Sequence, residues 1–117
     1  MQVYQSNINP EAYMSYTAEH IRNFALVGHQ SAGKTILSEA MLASAGVINR
    51  MGSVEAGSTV SDYHPSEIER QMSVHASLLH CTWNDNKFNI IDTPGYFDFI
   101  SEGLGALRVG DFAVIVV

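Results

Sequence analysis

The sequence predicts an α/β fold, a mostly parallel sheet flanked by helices with one antiparallel hairpin at its edge. Three observations carry that reading. Short apolar runs that suit buried strands recur at residues 23–27, 87–92 and 112–117. Apolar residues at helical spacing follow Thr35 and again follow Gly95. Strand and helix signatures therefore alternate, which is what crossover connections between parallel strands leave in a sequence.

Residues 1–20 are polar, rich in Gln, Asn, Ser and Tyr, and without a period. They read as a weakly ordered N-terminal extension, with Met14 as a second candidate start. The first strand is Asn-Phe-Ala-Leu-Val at 23–27. A helix follows to about Ala45, with apolar positions at Ile36, Leu37, Ala40, Met41 and Ala45, and Gly46 stands where a C-cap glycine belongs. Residues 46–71 carry Gly, Ser, Asp, Pro and charges without sustained periodicity, a long connection of the kind that usually serves function. From Ser73, SVHASLLHCTW leads through the turn cluster Asn84-Asp85-Asn86 into KFNIID, two strands of a hairpin, with Trp83 and Phe88 expected to pack across it. Phe97, Ile100, Leu104 and Leu107 then mark one helix face, and Gly110 a stop. The run at 112–117 reads as a buried parallel strand. Since the chain stops inside that strand, it is expected to be the front part of a larger domain.

Composition bounds the function. With 117 residues the chain is one domain, and 46% hydrophobic against 15% charged residues is globular. No apolar run is long enough to cross a bilayer, so no membrane partner is expected. Cys81 is the single cysteine, so no internal disulfide forms and a reducing cytoplasmic location is expected; Cys81 itself reads as a small buried hydrophobe. Net charge is −6, and the six basic residues are scattered, which argues against a direct nucleic-acid patch in this chain. The five histidines lack the spacing of metal ligands.

The chemistry concentrates in GHQSAGKT, residues 28–35. Its spacing, Gly28, Gly33, Lys34, Thr35, is that of a phosphate-binding loop between a strand and a helix. Glycine lets the backbone turn its N–H groups inward, so Gly28, His29, Gln30, Ser31, Ala32 and Gly33 form a cradle. Lys34 would reach the β- and γ-phosphates, Thr35 would offer a hydroxyl to Mg²⁺, and the helix would aim its positive dipole end at the same anion. Asp92, at the end of the strand NIID, stands where a carboxylate holds Mg²⁺ through water. In the DTPG that it opens, the Gly95 amide would donate to the γ-phosphate, and glycine lets the backbone swing when that phosphate leaves.

Gly28-His29, Gly33-Lys34-Thr35 and Asp92-Thr93-Pro94-Gly95, with their flanks and the acidic loop between them, resemble the first part of the G domain of translational GTPases, most closely elongation factor G and its paralogues. The resemblance covers residues 21–117. It implies a GTP-binding and GTP-hydrolysing domain that uses Mg²⁺, with a switch I at 47–73 and a switch II at 92–103, and a ribosome partner for the full-length protein. It also implies that Ser73, where the family usually has Thr, closes onto Mg²⁺. Ser31 replaces the family's common Asp, Gln30 replaces a small or branched apolar residue, and Tyr96 stands where the family generally has the water-positioning His. A tyrosine hydroxyl can orient water but cannot take up a proton as imidazole can. Two other readings follow: a nucleotide-responsive regulatory module with slow or no hydrolysis, and an ATP-using P-loop protein. The phosphate loop never touches the base, and the Asn-Lys-x-Asp element that reads guanine in the family is not in this chain.

Overall fold

The computed structural model describes residues 16–53, 56–61, 75–95 and 100–117. After a short 3-10 turn at Ala18–His20 come β1 (Ile21–Gly28), α1 (Lys34–Ser44), β2 (Ser77–Trp83), β3 (Asn86–Asp92), α2 (Ile100–Val109) and β4 (Phe112–Val116). The four strands form one sheet in the order β2-β3-β1-β4, with β1 parallel to both β3 and β4, and β2 antiparallel to β3. This is the mixed α/β sheet the sequence predicts.

The hairpin closes where expected. Asn84 and Asp85 both take positive φ (46° and 60°), the backbone of a two-residue turn whose twist matches that of the strands it joins. Gly46 is likewise a helix stop, with φ 74°. Its N–H bonds the Ala43 carbonyl and the Val47 N–H bonds the Leu42 carbonyl, the paired closure that left-handed glycine makes possible.

Period-two alternation along β1 sends successive side chains to opposite faces. Phe24 and Leu26 join Leu79, Cys81, Ile90 and Leu42 in one cluster under α1. Ala25 joins Ala76, Ile91 and Ala106 in a second cluster under α2. The sheet thus has a helix on each face, with the larger core on the α1 side. Cys81 is buried in that core, and burial pushes its thiol above the usual range.

Three sequence expectations need correction. The deepest residues of α1 are Lys34, Ser38, Glu39 and Leu42, with Leu37, Met41 and Ala45 packed at the margin of the core and Ile36 exposed. Polar groups occupy the inner stripe because each is spoken for: the Ser38 hydroxyl donates to the Thr35 carbonyl, and Glu39 accepts from the loop beyond the helix. In α2, Leu104 and Leu107 face outward and Ala106 faces in, because the helix lies against Ala25 through small residues; Phe97 lies outside the described residues. Strand β4 is parallel to β1 as predicted and is the last strand of the sheet within this chain. Trp83 opposes Asn86 and is also exposed, while Phe88 opposes Cys81 and meets Phe24 edge-on, at 6.4 Å between ring centroids.

Register at the amino ends of the strands is fixed by polar groups. The Asp111 carboxylate accepts from the Asn23 backbone N–H (3.0 Å) and side-chain amide (3.2 Å), the Asp111 N–H returns a bond to the Asn23 carbonyl, and the Asn89 amide donates to the Asn23 side-chain oxygen. Asp111→Ala removes two of these exposed bonds and is expected to cost about 1 kcal/mol, from a net worth of roughly 0.5–1.5 kcal/mol per bond. Urea unfolding measures it; an unchanged midpoint would mean that apolar packing alone sets the register of β1 on β4.

Candidate functional site

Parallel pairing brings the carboxyl ends of β1 and β3 side by side, with Leu26 opposite Asp92 and Gly28 opposite Val116 in the neighbouring strand. Loops that leave such ends are the usual place for a ligand in an open α/β sheet. Here they are the segment from Gly28 to Gly33 and the segment that begins at Thr93.

The first loop is bent by two left-handed residues, Ser31 (φ 61°) and Gly33 (φ 98°), and braced by the Ala32 N–H on the His29 carbonyl at 3.2 Å. His29 is exposed, and its ring nitrogen Nδ1 lies 2.7 Å from the Gln30 carbonyl. Gly33 is the N-cap of α1. It offers no capping side chain, and no acid occupies the first turn of the helix itself. A concave loop leading into such a helix end is suited to an anion.

Lys34 opens α1 and is buried, 6% exposed. Its ammonium donates to the carbonyls of Gly28 (2.9 Å) and His29 (2.8 Å), which hold it across the mouth of the loop. Burial lowers its pKa, and the nearby Asp92 carboxylate opposes that shift. A buried cation with a lowered pKa gains most from an anion that arrives beside it.

The Thr35 hydroxyl donates to Asp92 Oδ2 at 2.9 Å, and Asp92 is 1% exposed. A hydroxyl that donates to a carboxylate keeps its oxygen lone pairs for a cation, and both groups are hard oxygen donors of the type Mg²⁺ takes. The donor chemistry therefore fits Mg²⁺ at this pair. Thr93 is also buried, and its hydroxyl donates to the Leu26 carbonyl at 2.6 Å, which fastens the second loop to the end of β1. Gly95 lies so close to the first loop that a Cβ there would fall 2.5 Å from the Lys34 ammonium nitrogen and 2.7 Å from the Gln30 nitrogen. The two motifs, 57 residues apart between Thr35 and Asp92, thus converge on one place.

Of the residues singled out in the sequence, Gly28, His29, Gln30, Ser31, Ala32, Gly33, Lys34, Thr35, Asp92 and Gly95 lie in these two adjoining loops, at the start of α1 and at the end of β3. Tyr96 and Ser73 fall outside the described residues. Sequence reasoning passed over Thr93, Ser77 and Glu39. For Glu39 a signal existed: an acid one helical turn beyond Thr35, between the apolar positions of an amphipathic helix.

Residues 19–117 match the family described as the elongation factor Tu GTP-binding domain. The chain belongs to that family. Similar proteins include the mitochondrial ribosome-releasing factor 2 of Candida dubliniensis, 44% identical over 85% of this chain and 12% of that protein. The elongation factor G of Gluconobacter oxydans is 42% identical over 83% of this chain and 14% of that protein. A crystal structure of a Thermus thermophilus protein superposes with a TM-score of 0.81 at 39% identity, over 84% of this chain and 15% of the other. The chain therefore spans about an eighth of the length of the first of these relatives. As part of an elongation factor Tu-type GTP-binding domain, the sheet and its two site loops are a partial G domain. One relative's name places that protein in mitochondria, so a cytoplasmic location does not follow from the comparisons. No helix among the described residues is long and apolar enough to cross a membrane.

Proposed function

We propose that this chain is the phosphate- and Mg²⁺-binding part of a GTP-hydrolysing domain in an elongation factor G-like translation factor. The observation that carries the reading is the convergence of Lys34, the Thr35–Asp92 pair and Gly95 at the ends of β1 and β3. In this reading the loop amides of residues 28–33 and the Lys34 ammonium hold the phosphates. Thr35 and Asp92 would hold Mg²⁺, and Ser73 would add a second hydroxyl. When bound, the ion would supply positive charge to the phosphates. Gly95 supplies an amide toward the γ-phosphate and is the residue that notices its loss. The ribosome is the partner of the full-length protein, by analogy with relatives named ribosome-releasing factor 2 and elongation factor G.

Tyr96 sets the expected pace. Its hydroxyl orients the attacking water without taking up a proton, so the full-length protein hydrolyses GTP slowly. GTP and GDP are expected to compete for the site and ATP at equal concentration is not; displacement of labelled GDP by ATP would point instead to an ATP-using protein. In the same protein, Tyr96→His should speed single-turnover hydrolysis on ribosomes by up to about 10²-fold, the low end for a placed acid–base group, at unchanged nucleotide affinity. If the wild type is already fast and the substitution slows it, Tyr96 is itself the working group.

A further inference from the structure

Glu39 is a buried carboxylate, 1% exposed, that none of the phosphate chemistry uses. Its two oxygens accept from two main-chain N–H groups of the loop after α1: Oε2 from Gly52 at 2.9 Å and Oε1 from Val60. Those donors are the two arms of one tight loop. A Cβ on Gly52 would lie 2.2 Å from the Ser58 carbonyl oxygen, and Ser53 and Ser58 exchange bonds across the neck. One side chain of α1 thus gathers both arms.

The next residue along is tied from the other side. The Ser77 hydroxyl donates to the Ser61 carbonyl at 2.7 Å, and Ser77 stands directly opposite Asp92 in the β2–β3 ladder. Val60 is therefore held by α1 one turn beyond Thr35, and Ser61 by the strand residue facing Asp92. The loop is thus tied to α1, which carries Thr35, and to β2, the strand paired with the one that carries Asp92.

We propose that Glu39 is a positioning residue for the cation: through Val60 and Gly52 it holds α1 in register with the sheet, so that the Thr35 hydroxyl stays within bonding distance of Asp92. The proposal rests on the Mg²⁺–nucleotide reading of the site. Groups that orient a metal's ligands from outside typically cost about 10- to 100-fold in metal affinity when removed. The full-length protein loaded with fluorescent N-methylanthraniloyl-GDP tests it, by the rate of nucleotide release as Mg²⁺ is varied. Glu39→Ala should raise the Mg²⁺ concentration that half-suppresses release by about tenfold or more. Glu39→Gln, which keeps one acceptor but turns an amide NH₂ toward the second N–H, should raise it as well by a smaller factor. Ser77→Ala, which frees Ser61, should move it in the same direction. Leu42→Ala, a buried apolar truncation on the same helix, is the control: it lowers the unfolding temperature without moving the Mg²⁺ midpoint. An unchanged midpoint in Glu39→Gln, or an equal shift in Leu42→Ala, overturns the proposal. A wild type whose nucleotide release ignores Mg²⁺ would instead overturn the functional reading beneath it.

Discussion

Lys34→Met in the full-length protein is expected to weaken GDP and GTP binding by about 10- to 100-fold, the value of losing charge-assisted bonds worth roughly 1.5–3 kcal/mol. Nucleotide should then no longer raise the unfolding temperature at concentrations that protect the wild type. The same variant isolates the cost of keeping the cation buried. Because burial lowers the Lys34 pKa from 10.5, the unfolded chain holds its proton over a window just below 10.5 where the folded chain has released it. Stability of the nucleotide-free wild type should therefore rise with pH through that window relative to Lys34→Met, and the burial cost is fully present at lower pH. Bound phosphate favours the charged amine and should erase the difference. Unfolding curves of the two proteins from pH 8 to pH 10.5, with and without GDP, measure both effects. Parallel curves without nucleotide would show that the two loop carbonyls already compensate the buried charge.

Gly28→Ala should be the most damaging single methyl in the phosphate loop. Gly28 has φ 153°, and its Cβ would stand 2.3 Å from the Val116 carbonyl oxygen in the paired strand. Backbone cannot yield as a side-chain tip can, so β1 and β4 would have to part at the place where the loop begins. Gly33→Ala is the comparison: its φ of 98° also disfavours a side chain, but nothing lies within 4 Å of the added atom. A left-handed alanine alone costs about 1–2 kcal/mol; Gly28→Ala should cost about 3 kcal/mol or more, since strain of roughly 1–3 kcal/mol adds to the lost pairing. Denaturant midpoints of the two variants decide it. Equal losses would mean that the sheet opens easily at Val116.

What the sequence disclosed, it disclosed through residues whose backbone or chemistry has few alternatives. The strand-to-helix loop marked by Gly28, Gly33, Lys34 and Thr35, the Asn84-Asp85 turn and the Gly46 stop fall where the sequence put them, because few other conformations suit those residues. Reading failed where burial depended on partners distant in sequence. Glu39 looks like a surface acid until Gly52 and Val60 return to meet it. Leu104 and Leu107 look like a core face, yet Ala106 and Ala25 bring helix and sheet together through small side chains. Periodicity reports which residues share a face; it does not say which face the neighbours will cover.

The position of Cys81 gives the chain a built-in reporter. It is the only thiol, it sits 6% exposed between the sheet and α1, and its surroundings disfavour the thiolate. An alkylating reagent attacks thiolate only, so the folded chain resists it twice, by access and by ionisation. Modification then proceeds through molecules in which α1 has lifted from β2, and at low reagent its rate counts that open fraction directly. Quenched labelling followed by mass spectrometry would thus read, without any introduced probe, how firmly the helix that bears Lys34 and Thr35 stays seated, and how much a bound nucleotide tightens it.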